Sequence, residues 1–177
     1  MYHNPESPEI PQNLDDLIIA LSAQESTTYN RLLRSIKLQP NDFEAYSYWL
    51  ADRYTRNCII DTEKFQLMLL CWEEGHKTPI HDHDGEECWV KVIEGELKEI
   101  IYKNNEKDEL VAVKSSISKA NQVTYMKDFM GFHSLENVSN TRSMTLHLYA
   151  KPIRKCNIFN ENSKAFEETK LSYHTTA

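Results

Sequence analysis

Glycine is scarce in this chain, with four in 177 residues. A dinucleotide-binding glycine run therefore has no material, and neither a P-loop nor a Gly-x-Ser-x-Gly elbow occurs. Basic runs are missing too, and the net charge is −7. Phosphate backbones and anionic membrane surfaces both require clustered Lys or Arg, so neither nucleic acid nor membrane is an expected partner. No window approaches the ~18 apolar residues of a membrane span, and the opening MYHNPESPEIPQ lacks a basic region followed by an apolar one. A cytoplasmic protein is the expectation. The four cysteines (Cys58, Cys71, Cys88 and Cys156) are sparse, irregularly spaced and form no C-x-x-C pair. They do not make a disulfide scaffold, and in the cytosol they are expected to be reduced thiols.

Material for a core is ample. Hydrophobic residues make up 40% of the chain, including nine Tyr, six Phe and three Trp, which excludes a disordered chain. The length suits one domain over 1–177. Up to residue 57 the apolar spacing is helical: Leu14, Leu17, Ile18 and Leu21, then Tyr29, Leu32, Leu33 and Ile36. A third helix is expected after Pro40, capped by Asn41 or Asp42, with Phe43, Tyr46 and Leu50 inward. From 58 to 159 short β-like runs follow: Cys58 to Ile60, Phe65 to Trp72, Cys88 to Ile93, Leu97 to Tyr102, Leu110 to Val113, Gln122 to Met126 and Ser143 to Tyr149. Turn formers such as Asp84-Gly85, Glu94-Gly95 and Asn104-Asn105 separate them. This pattern predicts an antiparallel sandwich or barrel. The polar tail 160–177 is expected to be loosely held.

Among seven histidines, His3 and His174 are expected to be solvated near the termini, and His76 falls in a loop. The stretch His81 to Trp89, HDHDGEECW, is different, because two histidines two apart share one face of a strand. That is half of a metal site. Thr145, His147 and Tyr149 likewise lie at i, i+2 and i+4 of an expected strand, so a hydrogen-bonded relay is open to them. An ordinary alternating strand is the plainer alternative.

The histidine pair sits in a longer frame: Gly75, five residues, His81-x-His83, four residues, Cys88, six residues, Gly95. This resembles the first metal motif of the cupin superfamily, with Cys88 where an acidic ligand usually stands. Gly131-Phe132-His133, three residues, Asn137 resembles the second cupin motif, which brings a third histidine from a neighbouring strand. Its usual proline and preceding glycine are absent, and Asp128 and Met130 occupy those places. With Tyr54-Thr55-Arg56-Asn57, Leu70-Cys71-Trp72 and Leu146-His147-Leu148-Tyr149 added, the chain from Tyr54 to about Phe159 resembles the cysteine dioxygenases of the eukaryotic type.

The resemblance implies a mainly β, cupin-type antiparallel barrel or sandwich with N-terminal α-helices. It implies an enzyme of cysteine catabolism and taurine biosynthesis that oxidises L-cysteine to the sulfinic acid with O2. His81, His83 and His133 would hold a mononuclear non-haem Fe(II), and three neutral imidazoles leave the ion its full charge to attract a thiolate. Arg56, helped by Tyr54, would grip the substrate carboxylate through two parallel hydrogen bonds. Thr145, standing where the family usually has serine, keeps a hydroxyl to orient His147. Cys88 would join Tyr149 in a thioether formed after translation, with the Glu87 side chain directed to the opposite face. The expected state is a monomer. Other readings remain. Three histidines with an open position also suit a zinc hydrolase, another small thiol such as 3-mercaptopropionate or cysteamine would meet similar chemistry, and a non-catalytic cupin would simply bind metal. Taken singly, the plainer readings are Arg56 paired with a surface acid, Cys88 as a buried small residue, and Cys156 as structural.

Overall fold

The computed structural model describes residues 10–176, so His3 lies outside the described residues. Leu14, Leu17 and Leu21 turn to one side of α1 (Leu14–Ala23), and Asn13 caps it by accepting from the Asp16 amide at 2.9 Å. α2 (Tyr29–Ser35) buries Tyr29, Leu32 and Leu33. The third helix is a 3-10 helix over Pro40–Tyr46. It starts at Pro40 itself, so Gln39 rather than Asn41 or Asp42 is the N-cap, and Asp42, inside the first turn, accepts from the Gln39 amide at 2.7 Å. Phe43 is buried, but Tyr46 and Leu50 are only half-buried, because the chain leaves the helix before Leu50.

The strands are β1 (Thr55–Asp61), β2 (Gln66–Trp72), β3 (Cys88–Glu94), β4 (Glu96–Asn104), β5 (Leu110–Lys119), β6 (Val123–Met126), β7 (Phe132–Asn137), β8 (Ser143–Tyr149), β9 (Lys155–Asn160), β10 (Ala165–Lys170) and β11 (Thr175–Thr176). One sheet runs β11-β1-β2-β8-β3-β6 and a second runs β5-β4-β7, with β9 and β10 forming a hairpin. Residues 77–82 link that hairpin to the second sheet: His81 bridges to His133 of β7 on one side and to Ile158 of β9 on the other. The result is a two-layered, mainly antiparallel sandwich whose ladders do not close into a barrel.

Burial explains why β2 reads as a continuous apolar run. All seven of its residues are buried. Leu67, Leu69 and Cys71 face the helices together with Trp89, Leu146 and Leu148. Met68, Leu70 and Trp72 face the space between the layers together with Cys88, Val90, Val92 and Tyr149. Gly95 allows the turn between β3 and β4: its φ is +82°, and a Cβ there would collide with the Ser143 side chain.

The tail differs from expectation. Residues beyond 160 form β10 and β11, and β11 pairs with β1 in parallel, Asn57 opposite Thr175. Leu171 and Tyr173 pack against the core between the layers. His174, expected to be solvated, bonds to both main-chain groups of Arg56. His76 is also engaged: its Nδ1 accepts from the Glu73 amide at 3.0 Å, and its Nε2 lies 3.2 Å from the Ala51 carbonyl.

Candidate metal centre and active site

His81 and His83 do not lie on a regular strand. Pro79 has no amide hydrogen to give a ladder, and the chain around it makes isolated bridges only. Those bridges still position the ring. His81 exchanges both main-chain hydrogen bonds with His133, each at 3.0 Å. The next turn is fixed by Asp128, whose carboxylate accepts from the His83 amide at 3.1 Å and the Gly85 amide at 2.5 Å. The residue that breaks the second cupin motif therefore anchors the loop carrying a candidate ligand. On the other side, Asp82 accepts from the Asn157 amide at 2.8 Å and from its side chain at 2.7 Å, tying the loop to β9.

The three imidazoles converge, each offering one nitrogen, and these nitrogens lie within 4.8 Å of one another. Two of the rings are oriented by their other nitrogen. His81 Nδ1 lies 2.9 Å from the Pro79 carbonyl and His133 Nδ1 lies 2.7 Å from Glu99 Oε1. Both acceptors require Nδ1 to carry the hydrogen, which leaves each Nε2 a lone pair. The His83 and His133 Nε2 atoms stand 3.2 Å apart. Two nitrogens bound to one ion at about 2.1 Å in tetrahedral geometry would be roughly 3.4 Å apart, so the spacing fits a shared metal. Burial, followed by the neighbouring His133, pulls the His81 pKa down to about 3 and holds His83 well below the usual range, so both stay in the neutral, ligating form.

Glu99 emerges as a site residue only from the fold, through its contact with His133. It is buried at 6% exposure, and a carboxylate on the far nitrogen of a metal-ligating histidine fixes both tautomer and ring orientation. A signal was available, since Leu97, Glu99 and Ile101 alternate on the buried face of β4 and an acid flanked by apolar residues at ±2 needs a buried partner.

β8 brings Thr145, His147 and Tyr149 onto the inner face. Trp72 Nε1 donates to the Thr145 hydroxyl at 2.9 Å, and that hydroxyl lies 2.9 Å from His147 Nε2. An indole only donates, so the hydroxyl accepts from Trp72 and keeps its own hydrogen free for a neutral His147 protonated on Nδ1. Burial, then the charge of Arg56, holds the His147 pKa well below its ordinary value. The rings of His147 and Tyr149 are neighbours at 6.3 Å, without a hydrogen bond between them. The first link of the expected relay is therefore made and the second is proximity only.

Cys88 on β3 is directly opposite Tyr149 on β8, and burial raises both the thiol and the phenol pKa. Glu87 turns away, accepting from the Tyr125 hydroxyl at 2.6 Å. Arg56, Tyr54 and Tyr149 share one cavity with all three candidate ligands and His147. Tyr54 stacks on Trp72 with ring centroids 4.8 Å apart. The Arg56 Nε is buried without a partner, and Nη2 reaches only the Met68 sulfur at 3.6 Å. Among the described residues no acid pairs with it. Leu70, Ile158 and Leu171 supply apolar wall, and Cys156 also lines the cavity, its thiol pushed up to about 11 by burial.

Comparison with known proteins supplies a family for the chain. The model of the family "Cysteine dioxygenase type I" matches residues 9–162. Cysteine dioxygenase type 1 of Danio rerio is 33% identical over 174 residues, covering 92% of this chain and 87% of the relative. That of Homo sapiens is 32% identical over 148 residues, covering 81% and 74%. Among solved structures, a Klebsiella pneumoniae protein with a double-stranded β-helix domain superposes with TM-score 0.52 at 13% identity, covering 72% of this chain and 86% of the other. Lactobacillus farciminis oxalate decarboxylase gives 0.51 at 12% identity, covering 73% and 34%. These likenesses show the cupin-type fold, and no helix among the described residues is long and apolar enough to cross a membrane. The family match over most of the sequence carries the assignment: this chain belongs to the cysteine dioxygenase type I family.

Proposed function

We propose that this protein oxidises L-cysteine to cysteine sulfinic acid with O2, at a ferrous ion held by His81, His83 and His133. One observation carries the reading. A guanidinium with a buried, unpartnered Nε shares a cavity with three converging imidazoles. A small molecule with a carboxylate for Arg56 and a thiol for the metal satisfies both ends. When bound, the ferrous ion supplies a centre that favours the thiolate and can change oxidation state, which zinc cannot.

The protein's own groups supply positioning. Arg56 holds the carboxylate and Tyr54 adds a hydroxyl. Burial and the charge of Arg56 keep His147 neutral, and the Thr145 hydroxyl holds its ring in place. Tyr149, protonated because burial raises its pKa, presents a donor to the substrate side of the cavity. Leu70, Ile158 and Leu171 exclude water from the reacting sulfur. Thiol plus one O2 gives the sulfinic acid, so both oxygen atoms enter the product and no other reductant is consumed.

Cys88 and Tyr149 complete the reading as a thioether pair. A sulfur-to-ring bond replaces one S–H and one C–H, and the two protons and two electrons released pass to O2. Directly opposed residues of an antiparallel pair have Cβ atoms only about 5 Å apart, so the bond needs no change of register. Intact-mass and peptide analysis tests it: loss of two hydrogens in the wild type, abolished in Cys88→Ser and Tyr149→Phe, is expected. Separate unmodified peptides from active enzyme would refute it.

Oxygen uptake by the iron-loaded protein with cysteine, cysteamine and 3-mercaptopropionate, with sulfinate quantified, tests the activity. Cysteine is expected to react fastest. No uptake with any thiol overturns the proposal. Preference for 3-mercaptopropionate would keep the role of Arg56 and reassign the substrate.

A further inference from the structure

The segment 171–176 is bound at several points to the strand that carries Arg56. We infer that His174 is a positioning residue for the substrate carboxylate, acting through the main chain of Arg56; this rests on the reading of Arg56 given above. The Arg56 amide donates to His174 Nδ1 at 3.0 Å, and the His174 amide donates to the Arg56 carbonyl at 2.8 Å. Both polar groups of that one peptide position are thus committed to His174. On its other side β1 is paired with β2. Without residues 171–176 the edge of the sheet would be β1 itself, with Arg56 on that open edge.

The surrounding contacts fix His174 in turn. The Tyr173 hydroxyl donates to Asp61 at 2.5 Å and accepts from Arg154 at 2.8 Å, so the residue before His174 is locked to the far end of β1. Just after it, the Thr175 hydroxyl donates to the Asn57 side chain at 3.0 Å. Leu171, at the start of the segment, lines the same cavity as Arg56. Meanwhile the Arg56 guanidinium has little to hold it from within the pocket, only the Met68 sulfur. Its aim is therefore set by where the backbone of β1 sits, and His174 sets that. The metal ligands lie on other segments, residues 81–83 and β7, so a shift of Arg56 leaves them in place.

The discriminating measurement is the split between KM for cysteine and kcat in iron-loaded enzyme, with iron stoichiometry and melting temperature recorded. His174→Ala is expected to raise KM for cysteine about tenfold, with kcat at saturation within twofold, because a displaced clamp loses binding. His174→Asn is expected to restore most of the affinity, since its Oδ1 occupies the position of Nδ1 and accepts the same hydrogen bond. His174→Gln, with its oxygen one carbon further out, is expected to behave like alanine. Unchanged KM in His174→Ala, or equal KM in the Asn and Gln variants, overturns the inference. If His174→Ala does not fold, the Asn and Gln pair carries the comparison alone, with Asn required to be the tighter. Wild-type enzyme that makes no sulfinate from cysteine would instead refute the activity itself, a separate outcome.

Discussion

The same three strands have two faces with opposite tasks. Outward, β2, β3 and β8 present Leu67, Leu69, Trp89, Ile93, Leu146 and Leu148 to the helices, an almost wholly apolar contact. Inward, the alternate residues include Cys88, Thr145, His147 and Tyr149, of which His147 and Tyr149 line the cavity that holds the three candidate ligands. Burial is nearly complete on both faces, so burial alone does not distinguish scaffold from site. What differs is how polar groups are satisfied. Lys91, the outward exception, donates to the Leu33 carbonyl at 3.0 Å, whereas in the cavity that the inward face borders the Arg56 Nε, from β1, and His83 Nδ1, from the loop before β3, have no partner. Two of the three buried side-chain polar atoms without a partner among the described residues, Arg56 Nε and His83 Nδ1 but not Gln66 Oε1, belong to the lining of that cavity.

Substitutions on each face should therefore fail differently. The largest effect is expected from His81→Ala, His83→Ala or His133→Ala: metal binding weakened by well over about 100-fold and activity lost, with the metal-free fold retained. Iron at wild-type stoichiometry in all three would remove the ligand assignment. On the scaffold face, Leu146→Ala should cost about 2–5 kcal/mol in denaturant unfolding and leave metal affinity of the folded protein unaltered. Weakened metal binding there would erase the distinction between faces. Glu99→Gln sharpens it, since an amide in place of the carboxylate should weaken metal affinity by roughly 10–100-fold, read by competition with a chelator, with little change in melting temperature.

The smallest expected effect concerns Asp61, whose carboxyl is held below its usual range chiefly by the hydrogen bond from Arg154. A depressed folded pKa gives stability that is present above the unfolded value of about 3.9 and is lost as pH falls through the folded value. The melting-temperature gap between wild type and Asp61→Asn should thus be widest near neutrality and close on acidification. A gap independent of pH would mean that Asp61 contributes without its charge.

Local signals in the sequence reach as far as these faces do. Alternation and turn formers locate most strands from Cys58 to Tyr149 but miss β7, and it is the resemblance to the two cupin motifs that singles out His81, His83 and His133 as candidate ligands. Contacts between distant segments are another matter. β9 and β10 are polar edge strands, held by pairs such as Lys155 with Glu168 at 2.6 Å and by the stacking of Phe132 on Phe166 at 3.9 Å. Each such pair joins residues that look solvated singly. Asp128 and Glu99 are lone acids in the chain, and only the fold brings them to His83 and His133. His174 was read as solvated because its partner is 118 residues away.

That separation also orders events in time. The three imidazole residues have all been made by residue 133, but the residue that bonds to the Arg56 main chain is 174, 41 residues later (174 minus 133). At synthesis rates of about 5–20 residues per second, those 41 residues take roughly 2–8 s. A nascent chain thus carries all three candidate ligands before it carries the residue bound to the Arg56 main chain, while the loop of His81 and His83 still waits for Asn157 and Ile158 of β9.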